Sequence, residues 1–279
     1  MINIYEEIVR IRQRGERAAL ATIIGRKGSV PRKDAAKMLI RQDGSSLGTI
    51  GGGCTEAEVW REALNVMREE KAKTLSFELM EDEPTESGLL CGGTMEVYIE
   101  PILPDPVIYI FGAGHISQAL CRVAKSVNFK IVVVDDRANY ANPRRFPEAD
   151  EIIVEEFEKS LANLTINDAS YIIIVTRGHA YDQTILHWAV QTEARYIGLL
   201  GSRRKIKILY ENLQAAGISG EKFDRVCGPI GLEIGSETPE EIAVSIAAEL
   251  IAVRKNIDVQ RLKQKKVYWH AQQPESVDE

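Results

Sequence analysis

Several stretches of this sequence set glycines beside residues that can do chemistry. Val107-Ile108-Tyr109-Ile110-Phe111 runs directly into Gly112-Ala113-Gly114-His115-Ile116-Ser117. An apolar strand feeding a glycine turn and then a helix aims backbone N–H groups at a pyrophosphate, because no Cβ holds the anion away. Asp135, Asp136 and Arg137 follow about 20 residues on, where a carboxylate would accept from a ribose hydroxyl. Thr176-Arg177-Gly178-His179 and Gly201-Ser202-Arg203-Arg204-Lys205 close two further apolar runs. Arginines there would bind an anion through paired N–H donors. Taken singly, each signal has a plain structural reading. Glycines permit close packing of helix on strand, His179 would serve as a structural histidine, and Arg203, Arg204 and Lys205 would form a solvated basic turn. Together they define a candidate phosphate-binding set: Gly112, Ala113, Gly114, His115, Asp135, Asp136, Arg137, Thr176, Arg177, His179, Ser202, Arg203 and Arg204.

The first half offers different chemistry. Gly51-Gly52-Gly53-Cys54-Thr55-Glu56 puts a thiol behind three glycines where a helix should begin. Successive N–H groups in such a turn form an anion nest, and a helix start favours the thiolate of a cysteine. Cys54 is the candidate metal ligand or sulfur-handling thiol, with Glu56 able to meet a ligand edge or simply face water. Cys91-Gly92-Gly93 provides an alternative thiol with less electrostatic help. Cys121 and Cys227 read as small buried hydrophobes.

The elements that must position these residues fall into two patterns. A helix is expected over Ile2–Arg14, stopped by Gly15, then strands at Ala18–Ile24, Lys37–Arg41 and Ser46–Ile50. Thr55-Glu56-Ala57-Glu58 reads as a capping box that opens the next helix. Strands follow at Thr74–Met80 and Met95–Glu100, separated by an acidic loop over Glu81–Ser87. Leu103-Pro104-Asp105-Pro106 breaks both ladder and helix, marking a domain boundary. Beyond it strands and helices alternate, with strands at Val107–Phe111, Lys130–Asp135, Glu151–Val154, Tyr171–Thr176 and Arg195–Leu200. That order predicts a doubly wound parallel sheet. Thr238-Pro239-Glu240-Glu241 opens a final helix. The reading is therefore an α/β chain: a smaller α+β domain over 1–103, a Rossmann-like domain over 107–256, and a polar tail over 257–279.

A net charge of −6 repels a phosphate backbone, which argues against a general nucleic-acid binder. Four scattered cysteines without a C-x-x-C pair fit a reducing compartment. The acidic start and the lack of a long apolar run point to a cytoplasmic protein without a membrane span.

The residues also carry a family resemblance. The chain closely resembles the xanthine dehydrogenase accessory factor family (XdhC/CoxI) through Gly28-Ser29-Val30-Pro31-Arg32, Ala36-Lys37-Met38-Leu39, Gly48 through Cys54 with Glu56, and Cys91-Gly92-Gly93 through Glu100-Pro101. In the second half it rests on Phe111 through His115, Val134-Asp135-Asp136-Arg137, Thr176 through His179 with Asp182, Gly201 through Lys205, Pro229-Ile230-Gly231-Leu232 and Thr238 through Ala243. Ala35 and Glu233 depart from the usual pattern without removing a charged or thiol group. The resemblance implies a protein that binds molybdenum cofactor (molybdopterin, or its cytosine dinucleotide form) and assists exchange of a molybdenum oxo ligand for sulfido. It further implies delivery to xanthine dehydrogenase or a related hydroxylase apoenzyme, a cysteine desulfurase partner and a homodimer. An NAD(P)-dependent oxidoreductase or a nucleotide-binding regulator is the competing expectation, although no Tyr-x-x-x-Lys pair or histidine–carboxylate relay supplies hydride chemistry.

Overall fold

In a computed structural model, the structure describes residues 3–28, 36–79 and 93–258. Cys91, the Glu81–Ser87 loop, Ser29 through Ala35 and the tail after Asp258 lie outside the described residues. The chain divides into two compact units, Met1–Asp105 and Pro106–Glu279.

The first unit is an antiparallel sheet with a helix on each face. Its elements are α1 (Ile4–Gln13), β1 (Ala18–Gly28), β2 (Lys37–Arg41), β3 (Ser46–Gly48), α2 (Gly53–Glu69), β4 (Lys73–Leu79) and β5 (Gly93–Ile102), with strand order β3-β2-β1-β5-β4. Alternation along β1 decides what each helix covers. Ala19, Ala21 and Ile23 face α2 and pack with Val59, Ala63, Val66 and Met67, whereas Ala18 and Leu20 face Ile11 of α1. Asn3 caps α1 by accepting from the Tyr5 N–H. The expected end of β1 at Ile24 is corrected. A register shift between Ile23 and Gly25 turns Ile24 outward, and pairing with β5 resumes to Gly28. One inserted residue bends a strand without ending it.

The capping box expected at Thr55 is also absent. Helix α2 begins three residues earlier, with Gly52 as its N-cap at φ 83°, a conformation that a glycine adopts without strain. Thr55 is thus already inside the first turn.

The second unit is a parallel sheet with strand order β11-β10-β9-β6-β7-β8. Its strands are β6 (Val107–Phe111), β7 (Lys130–Asp135), β8 (Glu151–Val154), β9 (Ser170–Ile174), β10 (Tyr196–Leu199) and β11 (Val226–Cys227). The last of these escaped the sequence reading because two residues carry no periodicity. Helices α3 (His115–Ser126) and α7 (Pro239–Arg254) pack on one face. The other face holds α4 (Phe157–Leu161), α5 (His179–Ala189) and α6 (Arg203–Ala215). Covered on both faces, the central strands β6, β7, β9 and β10 are apolar, mostly Ile/Val runs. Helix α7 starts as its sequence demands: Thr238 Oγ1 accepts from the Glu241 N–H, Glu241 reaches back to the Thr238 N–H, and Pro239 stands in the first turn.

This order has one topological switch point, between β6 and β9, where successive crossovers go to opposite faces. Ligands of open α/β sheets bind in the crevice outside the strand carboxyl ends at such a point.

Candidate functional site

The β6–α3 turn sits at that crevice, and its two glycines do different jobs. Gly112 has φ +111°, and a Cβ there would lie 2.5 Å from the Val175 carbonyl oxygen. The close approach of the segment following β9 requires glycine. Gly114, the N-cap of α3, has no heavy atom within 4 Å of a built Cβ, so its bareness leaves room above the turn. Ser117 stands where a third glycine is usual. Its fully buried Oγ donates to the Gly112 carbonyl at 2.5 Å and closes the turn.

The two aspartates are not free for a ribose. Asp135 is buried, and its carboxylate accepts from the Ala113 N–H at 2.8 Å, the Arg137 N–H at 3.0 Å, and Arg137 Nε and Nη2 at 2.8 and 2.9 Å. Four donors fill the acceptor positions of one carboxylate. Asp136 takes the Arg177 fork, with Nη1 at 2.5 Å and Nη2 at 2.7 Å. The Arg177 hydrogen bonds hold the Asp136 carboxyl down at about 2 and push the Arg177 guanidinium up.

Aromatic rings support the arginines. Arg137 and Arg145 lie 3.9 and 4.9 Å from the centroid of Tyr140, and Arg177 lies 4.7 Å from that of Tyr181. Arg145 Nη2 donates to Gln118 Oε1 and the Ala113 carbonyl, fixing a third guanidinium beside the glycine turn. Arg145, Tyr140 and Tyr181 were missed from sequence. Their signal was the spacing of Tyr140 and Arg145 behind Asp135-Asp136-Arg137.

The other predicted rim residues divide. His115 and His179 occupy the first positions of α3 and α5 and are exposed at the carboxyl edge. Thr176 Oγ1 donates to Asp182 Oδ1 at 2.6 Å, and the Lys205 ammonium lies 2.6 Å from Asp182 Oδ2. Ser202 caps α6 by accepting from the Lys205 N–H. Arg203 and Arg204 are exposed, and the Arg203 head lies 3.6 Å from Glu233. The inward cation of this turn is therefore Lys205, whose stem passes Gly201 so closely that a Cβ there would meet Lys205 Cδ at 2.7 Å.

In the first unit the glycine nest is filled from within. Glu56 Oε2 accepts from Thr49 Oγ1 at 2.6 Å, the Gly52 N–H at 3.0 Å and the Ile50 N–H at 3.3 Å. Burial pushes the Glu56 carboxyl up, but these hydrogen bonds outweigh it and hold the pKa below the usual value. Glu56 therefore stiffens the loop through one carboxylate oxygen. Gly51 and Gly53 are exposed, and Cys54 is exposed in the first turn of α2. Cys121 is fully buried, and burial pushes its thiol up to about 12. Among the described residues no group of three or more His, Cys, Asp or Glu could hold a metal ion. None of their helices is long and apolar enough to cross a membrane. A cavity of about 670 Å³ between α4, α5 and α6, lined by Leu161, Trp188 and Leu213, lies on a helical face and not at the strand ends.

A parallel sheet in this order, with a glycine turn and an arginine cluster at its switch point, defines a Rossmann-type domain, here preceded by an antiparallel unit bearing an exposed thiol. The chain belongs to the XdhC and CoxI family. The XdhC Rossmann domain matches residues 108–250, and the XdhC and CoxI family matches residues 11–78. Uncharacterized protein YqeB of Escherichia coli is 33% identical over 91% of this chain, which spans only 47% of that longer relative. A probable xanthine dehydrogenase component of Bacillus subtilis is 27% identical, with 88% of this chain and 95% of the relative covered. The molybdenum cofactor insertion chaperone PaoD of Escherichia coli is 24% identical, covering 86% and 84%. A solved structure described as a xanthine dehydrogenase from Bacillus halodurans is 27% identical, with a TM-score of 0.52, and covers 92% of this chain and 97% of its own.

Proposed function

We propose that this chain is a cytoplasmic maturation factor that binds molybdenum cofactor as cargo, assists its sulfuration and inserts it into a xanthine dehydrogenase or related molybdenum hydroxylase. One observation carries the reading. Three ring-supported guanidiniums surround a glycine turn at the switch point of a Rossmann domain, in a chain related to a named cofactor-insertion chaperone. The cargo bears a phosphate, or a dinucleotide tail in its cytosine form, and both suit arginine forks and helix starts.

Each group has a role in this reading. Arg177, Arg137 and Arg145 hold the anionic end. The bare Gly114 lets it approach the α3 start, and His115 and His179 edge the crevice. Cys54 is the soft ligand that would meet molybdenum or hold it during exchange of oxo for sulfido. Because the Glu56 carboxylate keeps the glycine loop rigid, the thiol is presented on a fixed turn. Cys91 is the alternative thiol. A cysteine desulfurase as sulfur donor and a homodimer complete the proposal. The apoenzyme is the recipient.

The test is co-expression with cofactor biosynthesis, purification, and assay for molybdopterin by its fluorescent oxidation product. Near-stoichiometric pterin is expected. A chain that purifies free of pterin and leaves apo-hydroxylase inactive would overturn the reading.

A further inference from the structure

The carboxylates at the crevice point to how the anion enters and what it must look like. Strand order β9-β6-β7 places Asp136, after β7, and Arg177, after β9, on either side of the glycine turn that follows β6. Two strand spacings amount to roughly 10 Å, and the Asp136–Arg177 ion pair spans them across the mouth of the turn. Arg177 Nη1 also lies 3.9 Å from Asp135 Oδ1, while Asp135 Oδ2 accepts from the Ala113 N–H. The three groups make one chain from the strap to the backbone of the turn.

We propose, resting on the reading of this crevice as the cargo site, that Asp136 is an internal stand-in for a ligand phosphate. The ligand enters by displacing Asp136 from the Arg177 fork, while Asp135 stays engaged and reads no ribose diol. A phosphate offers that fork the same pair of oxygens at similar spacing and carries more charge. The exchange leaves Arg177 paired and frees Asp136, which is partly exposed, to take water. Because Arg177 keeps Asp136 ionised far below neutrality, a competing anion opens the strap and a proton does not. Asp135 cannot move in the same way. It is buried, and leaving would strand the Ala113 N–H and the three Arg137 donors. The crevice therefore takes a phosphate-terminated ligand and lacks the ribose acceptor through which a dinucleotide domain holds NAD.

Titration calorimetry on the full chain tests this with pyrophosphate, ADP and 2′,3′-dideoxy-ADP. Asp136→Asn removes the competing charge and should bind pyrophosphate about fivefold more tightly, the scale of a partly exposed ion pair. Arg177→Lys keeps the charge but loses the fork and should bind more weakly than the unaltered chain. ADP and its dideoxy analogue should bind the unaltered chain within about twofold of each other, since no carboxylate reads the diol. Equal or weaker pyrophosphate binding by Asp136→Asn, or no binding by any form, overturns the proposal. So does a preference of more than about tenfold for ADP over the analogue, the cost of an unpaired buried acceptor. The ADP comparison needs no variant, so a folding defect in Asp136→Asn leaves the idea open to refutation. Pterin co-purification with the unaltered chain reads the cargo function separately, so failure of the strap and failure of that function are distinguishable.

Discussion

Replacing Gly112 with alanine tests the geometry of the crevice most directly. The residue has φ +111°, and the new Cβ would lie 2.5 Å from the Val175 oxygen, 2.9 Å from its carbonyl carbon and 3.0 Å from Thr176 Cα. All three are backbone atoms of the segment that follows β9, so no side chain can rotate away. Holding a non-glycine residue at such a φ costs about 1–3 kcal/mol. Forcing two backbone segments apart in a packed sheet costs a further 1–3 kcal/mol or so. Alanine recovers about 0.4–1 kcal/mol by restricting the unfolded chain, leaving a net loss centred near about 3 kcal/mol. The matched control is Gly114→Ala, two residues on in the same motif. It has ordinary φ and open space around the added methyl, and should change stability by no more than about 1 kcal/mol, the scale of an N-cap substitution. Its effect should fall on ligand binding, where the methyl intrudes on the approach to the turn. Urea unfolding combined with hydrogen exchange of residues 170–175 reads the second unit alone. If Gly112→Ala stays within about 0.5 kcal/mol of the unaltered chain, or matches Gly114→Ala, the close-approach argument is wrong.

Asp182→Ala should cost about 2–3 kcal/mol, because Asp182 is fully buried and its loss removes the carboxylate that pairs Lys205 and accepts from Thr176 Oγ1, leaving them only the Leu200 and Gly178 carbonyls; chemical denaturation reads this, and a neutral result would refute the role given to Asp182. Arg177 holds the folded Asp136 pKa at about 2 against the usual 3.8, so this pair's stabilisation is full above about pH 4 and lost as pH falls toward 2. Acid titrations of the unaltered chain and Asp136→Asn should therefore run parallel from pH 5 to 8 and converge only on the acid limb, and divergence near neutrality contradicts the assignment. Iodoacetamide at neutral pH should modify the exposed Cys54 and spare Cys121, which is buried with its thiol pushed up to about 12; mass spectrometry of native digests decides it. Cys54→Ser should fold normally and fail to support activation of the apo-hydroxylase, whereas Cys121→Ser should support it, and full activation by Cys54→Ser would move the thiol role to Cys91.

Much of this protein follows from local patterns that need no partner elsewhere in the chain. Thr238-Pro239-Glu240-Glu241 placed a helix start to the residue because capping uses atoms only three positions apart. The succession of Ile/Val runs and helices fixed a parallel sheet, and with it the edge on which Gly112, Thr176 and Ser202 emerge. Tertiary structure decided which side chains at that edge are available. Asp135 reads as a ribose acceptor from its place at the end of β7, yet it spends its oxygens on Ala113 and Arg137. Glu56 reads as a free carboxylate and instead fills its own glycine nest. Arg203 and Arg204 read as the anion contacts, and the turn of α6 leaves both exposed at the edge while Lys205 is drawn inward to Asp182. These outcomes depend on hydrogen bonds between segments tens of residues apart, and on whether a donor meets its partner within 3 Å or so. A sequence pattern gives a residue's chemical capacity and its strand end; only the folded chain shows how much of that capacity is already used.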